Sequence, residues 1–251
     1  MSTTTTTTTT TKEMPVNART DHPTALLVQG AWHHPDAWAA LRGELFLRGW
    51  RTIVTDLPSA GTAPTGSMHD DADAIRAAIA SVPGPVTVIA HSYGGIPATE
   101  ATASASDVDR LIYLTAYLPD DGESMMTLHG VPDPDDVSGP AGLMPEPRTA
   151  LYGDLPDDAA EAALDRLLQQ TLRSFADRTR GAGWKTIPTT YIVCDRDQAI
   201  TPTMQRQMAE RAGVPMAHLD CGHSPFLSRP SELADLLTTI MSDQDDQQPA
   251  R

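Results

Sequence analysis

The stretch Val86-Thr87-Val88-Ile89-Ala90-His91-Ser92-Tyr93-Gly94-Gly95 runs from a nearly continuous apolar segment into a serine and then two glycines, with Pro97 just beyond. A short apolar run bounded by a turn signal reads as a strand, and a proline suits the first turn of a helix. The serine therefore stands at a sharp strand-to-helix corner, where the small residues Ala90 and Gly94 relieve crowding and the hydroxyl is held out at the helix N-terminus. This is the pattern of a nucleophile elbow, G-x-S-x-G in its usual form, here with alanine in the first position.

Outward from this corner, short apolar runs alternate with helical patterns. Strands are predicted at 25–28, 52–56, 86–90, 111–116, 190–194 and 217–220, several of them apolar enough to be buried on both faces. Trp38, Leu41 and Leu45 repeat at helical spacing, as do Ile75, Ala78, Ile79 and Val82, and Leu233, Leu236, Leu237 and Ile240 after the start signal Arg229-Pro230-Ser231. Such alternation predicts an α/β fold, a mostly parallel twisted sheet flanked by helices, with functional groups at the carboxyl ends of its strands. Residues 119–188 break the pattern and hold no good strand. They begin rich in Pro, Gly and Asp, contain a helical segment at 156–168, and carry Met125, Met126 and Met144, whose flexible thioethers suit an adaptable apolar pocket. The expected organisation is a core of 21–118 and 189–242, a cap or lid of 119–188, a disordered threonine-rich tail of 1–20, with an unbroken run from Thr3 to Thr11, and a flexible tail of 243–251.

Among 251 residues, 40% are hydrophobic and the net charge is −15, so phosphate backbones and anionic membranes are repelled. No signal-like apolar stretch and no apolar segment of spanning length occurs, which predicts a cytoplasmic protein. The two cysteines, Cys194 and Cys221, lack metal-ligand spacing and read as buried free thiols.

A serine needs a base. Of eight histidines, His223 follows the last predicted strand and a glycine, on a loop at the carboxyl edge of the sheet. The base needs a carboxylate to hold its tautomer, and strand 190–194 ends in Asp195-Arg196-Asp197. Either aspartate is in reach, with Asp120 or Asp121 more distant alternatives, and the chain order Ser…Asp…His suits the elbow. An oxyanion needs backbone donors. One is the N–H of Tyr93, after the serine. The other is expected from Ala31, in the loop after the first strand, where Gly30 permits a tight turn.

Four segments together resemble the α/β hydrolases of the plant methylesterase and hydroxynitrile lyase group and their bacterial esterase relatives. Gln29-Gly30-Ala31-Trp32-His33-His34-Pro35-Asp36-Ala37-Trp38 is similar to their H-G-A-W-H-G-A-W-x-W, the elbow to their G-H-S-x-G-G, and Tyr191 to Ile200 and Gly222-His223 to their acid and base loops. The resemblance covers nearly all of 24–240. It implies a sheet of order 4-3-5-6-7-8 in the family's count, a helical cap after the sixth strand, and Asp197 rather than Asp195 as the acid, three residues before Ile200. Gln29, His34 and Asp36 depart from the pattern; Gln29 is expected to hydrogen-bond within its loop, and Trp32 and His33 to lie near the pocket mouth.

The expected activity is cofactor-free hydrolysis of an ester, lactone or thioester of a small apolar molecule, with Ser92, His223 and Asp197 catalytic and Gly30, Ala31, Trp32 and Tyr93 binding oxyanion or substrate. An acidic pocket rim would favour neutral or cationic substrates. A small-molecule substrate and a homodimer are the expected partners, with no nucleic acid, membrane or metal. A lyase, a cofactor-free oxygenase and a ligand-binding protein without turnover are the alternatives. Lyases resembling this group carry threonine where Gly30 stands and lysine where Ser224 stands, which weighs against the first.

Overall fold

The computed structural model describes residues 23–242; the expected tails, 1–20 and 243–251, lie outside the described residues. In chain order the strands are β1 Thr24–Val28, β2 Thr52–Val54, β3 Ala60–Gly61, β4 Val86–Ser92, β5 Val108–Ala116, β6 Pro140–Ala141, β7 Gln169–Thr171, β8 Thr189–Cys194 and β9 Met216–Leu219. The helices are α1 Ala39–Leu47, α2 Met68–Ala80, α3 Gly95–Thr102, α4 Met125–Leu128, α5 Pro147–Tyr152, α6 Asp157–Leu164, α7 Arg173–Ala176, α8 Pro202–Ala212, α9 Pro225–Ser228 and α10 Pro230–Ser242.

Six strands form one parallel sheet in the order β2-β1-β4-β5-β8-β9, the order the resemblance implied. Alternate side chains divide between its faces, as the two-residue period of a strand requires. Leu26, Val28, Val88, Leu111 and Tyr191 pack with Ile75, Ile79, Ile96 and Met208 of α2, α3 and α8. Leu27, Ile89, Ile112, Leu114 and Ile192 pack on the other face with Leu41, Leu45, Leu233 and Leu237 of α1 and α10. Every residue of α3 is buried, so the helix after the elbow is gripped all round. Gly94 answers the close approach there, since a Cβ on it would lie 2.5 Å from the Gln29 carbonyl oxygen.

The segment between β5 and β8 differs from the helical cap expected. Beside α4, α5, α6 and α7 it contains β6 and β7, which pair antiparallel, with β7 also antiparallel to β3, in a second sheet of order β3-β7-β6. The helix predicted over 156–168 ends at Leu164, because Leu168 N–H is taken by the Trp32 carbonyl at 2.7 Å and the chain extends into β7. Cys194 and Cys221 are buried free thiols. Among the described residues no helix is long and apolar enough to cross a membrane.

Candidate active site

Ser92 ends β4 with φ +52°, and the chain turns at once into α3. A non-glycine residue held there is strained, and the packing of β4 and α3 supports that strain. The elbow aims Ser92 into a cavity of about 210 Å³ that it shares with Ala31, Trp32, Tyr93 and His223. Tyr117, Met125, His129, Met144, Leu151, Ala199 and Ile200 complete the lining. None of these is acidic. Met125 and Met144 face it as anticipated, whereas Met126 does not line it.

His223 is buried on the loop after β9, and its Nδ1–H donates to Asp197 Oδ2 at 2.7 Å. The same carboxylate oxygen accepts the Thr115 hydroxyl and Gln205 Nε2. Oδ1 accepts the backbone N–H groups of Ala199 at 2.7 Å and Ile200 at 3.0 Å. Asp195, two residues away, instead meets His218 Nδ1 at 3.1 Å and Arg206 at 3.8 Å on the surface. Asp120 pairs with Lys185, and the Asp121 carboxylate accepts the Gly181 N–H at 2.7 Å. No hydrogen bond joins the side chains of Ser92 and His223 among the described residues; in a free enzyme such a contact commonly tightens only when substrate binds.

Two supports of the His223 loop were not read from sequence. His91 Nε2–H donates to the His223 carbonyl at 2.9 Å, tying the His223 loop to the residue before the serine. Burial, with the nearby His223 adding to it, holds the His91 pKa well below the ordinary histidine range, so it acts here as a neutral donor. Asp154, from the segment between β5 and β8, accepts the Gly222 N–H and the Ser228 hydroxyl, each at 2.8 Å. The adjacency of His91 to Ser92 was the available signal for the first; nothing local marked Asp154.

The loop after β1 carries the other expected donor. Gly30 lies against the elbow so closely that a Cβ there would be 2.7 Å from Ser92 Cβ. Trp32 follows at φ +63°. Among the described residues, neither Ala31 N–H nor Tyr93 N–H has a hydrogen-bond acceptor, and both residues line the cavity. His33 does not reach it: its ring is buried, Nδ1–H donates to the Ala31 carbonyl at 2.9 Å, and burial above all lowers its pKa to about 4. Gln29 is also buried, but its Oε1 has no partner among the described residues, contrary to the bond expected within the loop. The other departures have local roles. His34 Nδ1 accepts the Asp36 N–H at the start of a short 3₁₀ turn, and Asp36 pairs with Arg166 at 2.8 Å.

A family model described as "Alpha/beta hydrolase family" matches residues 25–236, and the chain belongs to that family. A probable hydrolase from Phoma sp. is 29% identical over 246 residues, covering 87% of this chain and 98% of its own. Methylesterase 9 of Arabidopsis thaliana is 26% identical over 247 residues, covering 86% of this chain and 96% of its own. In structure, a methylesterase from Arabidopsis superposes with a TM-score of 0.75 at 23% identity, over 88% of this chain and 99% of that one. The resemblance to the plant methylesterase group and the fold drawn from it are thus found.

Proposed function

We propose that this protein is a serine carboxylic-ester hydrolase acting on small, largely apolar esters, lactones or thioesters. The observation that carries the reading is the strained Ser92 sharing one cavity with His223, which is backed by a buried Asp197. Because Nδ1 holds its proton toward Asp197, His223 Nε2 is the free lone pair that takes the Ser92 proton as Oγ attacks the ester carbonyl. Asp197 stabilises the imidazolium formed. The unoccupied N–H groups of Ala31 and Tyr93 receive the developing oxyanion. The imidazolium then protonates the leaving alcohol or thiol, and water, activated by the same histidine, releases the acid. Every step uses side chains or backbone of this chain, and none needs a metal or cofactor.

The segment 119–188 acts in this reading as a cap, since it contributes Met125, His129, Met144 and Leu151 to the cavity. The apolar Met125, Met144 and Leu151 among them support a small apolar substrate; the hydrolase and esterase names of the relatives support the reaction class. Buried free thiols suit a reducing, cytoplasmic setting. Against a cyanohydrin lyase stand Gly30, where a threonine Cβ would strike Ser92, and Ser224, where no cation is available for a leaving anion.

The test is turnover of p-nitrophenyl acetate and butyrate at neutral pH with EDTA present. Wild type turns over steadily, and Ser92→Ala loses about 10⁶-fold of kcat, leaving a residual about 10³-fold or more above water from binding and the oxyanion donors. Equal rates in the two proteins would remove Ser92 from the mechanism.

A further inference from the structure

Two short stretches supply the proposed oxyanion donors, the loop of Ala31 and Trp32 and the elbow at Tyr93. Both are held by one piece of the inserted segment, 168–175. Trp32 is clamped at both ends of its residue. Its carbonyl accepts Leu168 N–H at 2.7 Å, and its N–H points to Gln170 Oε1 at 3.4 Å, a long bond. Gln170 is fully buried, and its Nε2 donates to the hydroxyls of Ser59 at 2.6 Å and Ser174 at 2.8 Å, which leaves the amide one orientation. The Ser59 hydroxyl in turn donates to Asp71 Oδ2, which also accepts the Tyr93 hydroxyl at 2.6 Å. The Phe175 ring closes the frame, 5.5 Å edge-on from Trp32 and 5.5 Å from Tyr93. Asp71, through Ser59 and Gln170, thus joins the Tyr93 hydroxyl to the Trp32 backbone N–H.

We infer that Gln170 is a positioning residue for the oxyanion site: it fixes the left-handed Trp32, and with it the direction of the preceding Ala31 N–H, relative to the elbow. The inference rests on the reading of Ser92 as nucleophile and of Ala31 and Tyr93 as oxyanion donors. A backbone turn at positive φ is held only while its surroundings over-determine it, and a donor must already point at the oxyanion before charge develops there. Losing the amide therefore costs transition-state stabilisation and leaves ground-state binding to the cavity walls intact.

The experiment compares full-length wild type, Gln170→Met and Ser174→Ala in p-nitrophenyl butyrate kinetics and in inhibition by an alkyl trifluoromethyl ketone, which forms a tetrahedral oxyanion on the serine. Gln170→Met is expected to lower kcat and ketone affinity in parallel, each by about 10- to 100-fold, with KM within about twofold. Ser174→Ala removes one of the two acceptors of the amide and is expected to give the same pattern at about threefold, whether or not the first variant folds. Unchanged ketone affinity in Ser174→Ala, or a Gln170→Met effect confined to KM, overturns the inference while the nucleophile reading stands. A wild type that neither turns over the ester nor binds the ketone overturns both.

Discussion

Two aspartates sit buried within the same molecule and do different work. Asp197, on the loop after β8, accepts two backbone N–H groups, the Thr115 hydroxyl, Gln205 and the His223 ring. Asp71, inside α2, accepts the Ser59 N–H and hydroxyl and the Tyr93 hydroxyl. Neutral donors only partly offset the burial of Asp71, and desolvation pushes its pKa up to about 6. Asp197 has more donors and, uniquely of the two, a partner that becomes positive when it takes a proton. Burial alone therefore does not mark the carboxylate proposed to act. The partner does, because only a carboxylate facing a base can stabilise the charge that catalysis creates there.

The sharpest way to break this comparison is at Asp197. Asp197→Asn is expected to lower kcat by about 10⁴-fold, since an amide can impose the wrong histidine tautomer, while Asp195→Asn stays within about threefold of wild type. The reverse ranking in ester kinetics would hand the role to the surface aspartate.

Asp71 offers a stability readout instead. Its folded pKa, about 6, lies above the ordinary 3.8, so the folded state binds more protons between those values. Its contribution therefore grows as pH falls through 6 and is complete below 3.8, to about 3 kcal/mol. Asp71→Asn lacks this term, so urea unfolding should show the variant losing ground to wild type between pH 7 and pH 4. A constant difference across that range would mean Asp71 is ionised at little cost, and the contrast with Asp197 would shrink.

A smaller effect than that of Asp197→Asn is expected at Thr115. Thr115→Val removes one of the donors on Asp197 and should lower kcat by about tenfold while leaving KM unchanged, the remaining donors keeping the carboxylate in place. A loss as large as that of Asp197→Asn would make the hydroxyl indispensable to the orientation of the acid.

Much of this was open to a reader of the chain. The six main strands fall where the apolar runs placed them; the four inner ones are buried on both faces and so need near-continuous apolar residues, while the edge strands β2 and β9 are only partly covered. Ser92, His223 and their order were legible because a strained corner and a loop after the last strand each need particular small residues beside them. The inserted segment was not legible in the same way. Two-residue strands such as β3 and β6 bury too little to leave a period, and α6 stops where a carbonyl from the loop of Trp32 captures Leu168. The resemblance put His33 near the pocket mouth, but its ring packs against His91, Tyr152 and Phe226 and lines a neighbouring cavity rather than that of Ser92.

By itself the sequence determined the parallel sheet, the elbow at Ser92 and the loop that delivers His223, since these depend on local periodicity and on glycine at crowded turns. Choosing Asp197 over Asp195 by contact, joining Gln170 to Trp32 across 138 positions, and joining Tyr93 to Asp71 were decided only in three dimensions. A hydrogen bond between distant side chains depends on where the whole fold brings their backbones, and no window of the chain encodes that distance.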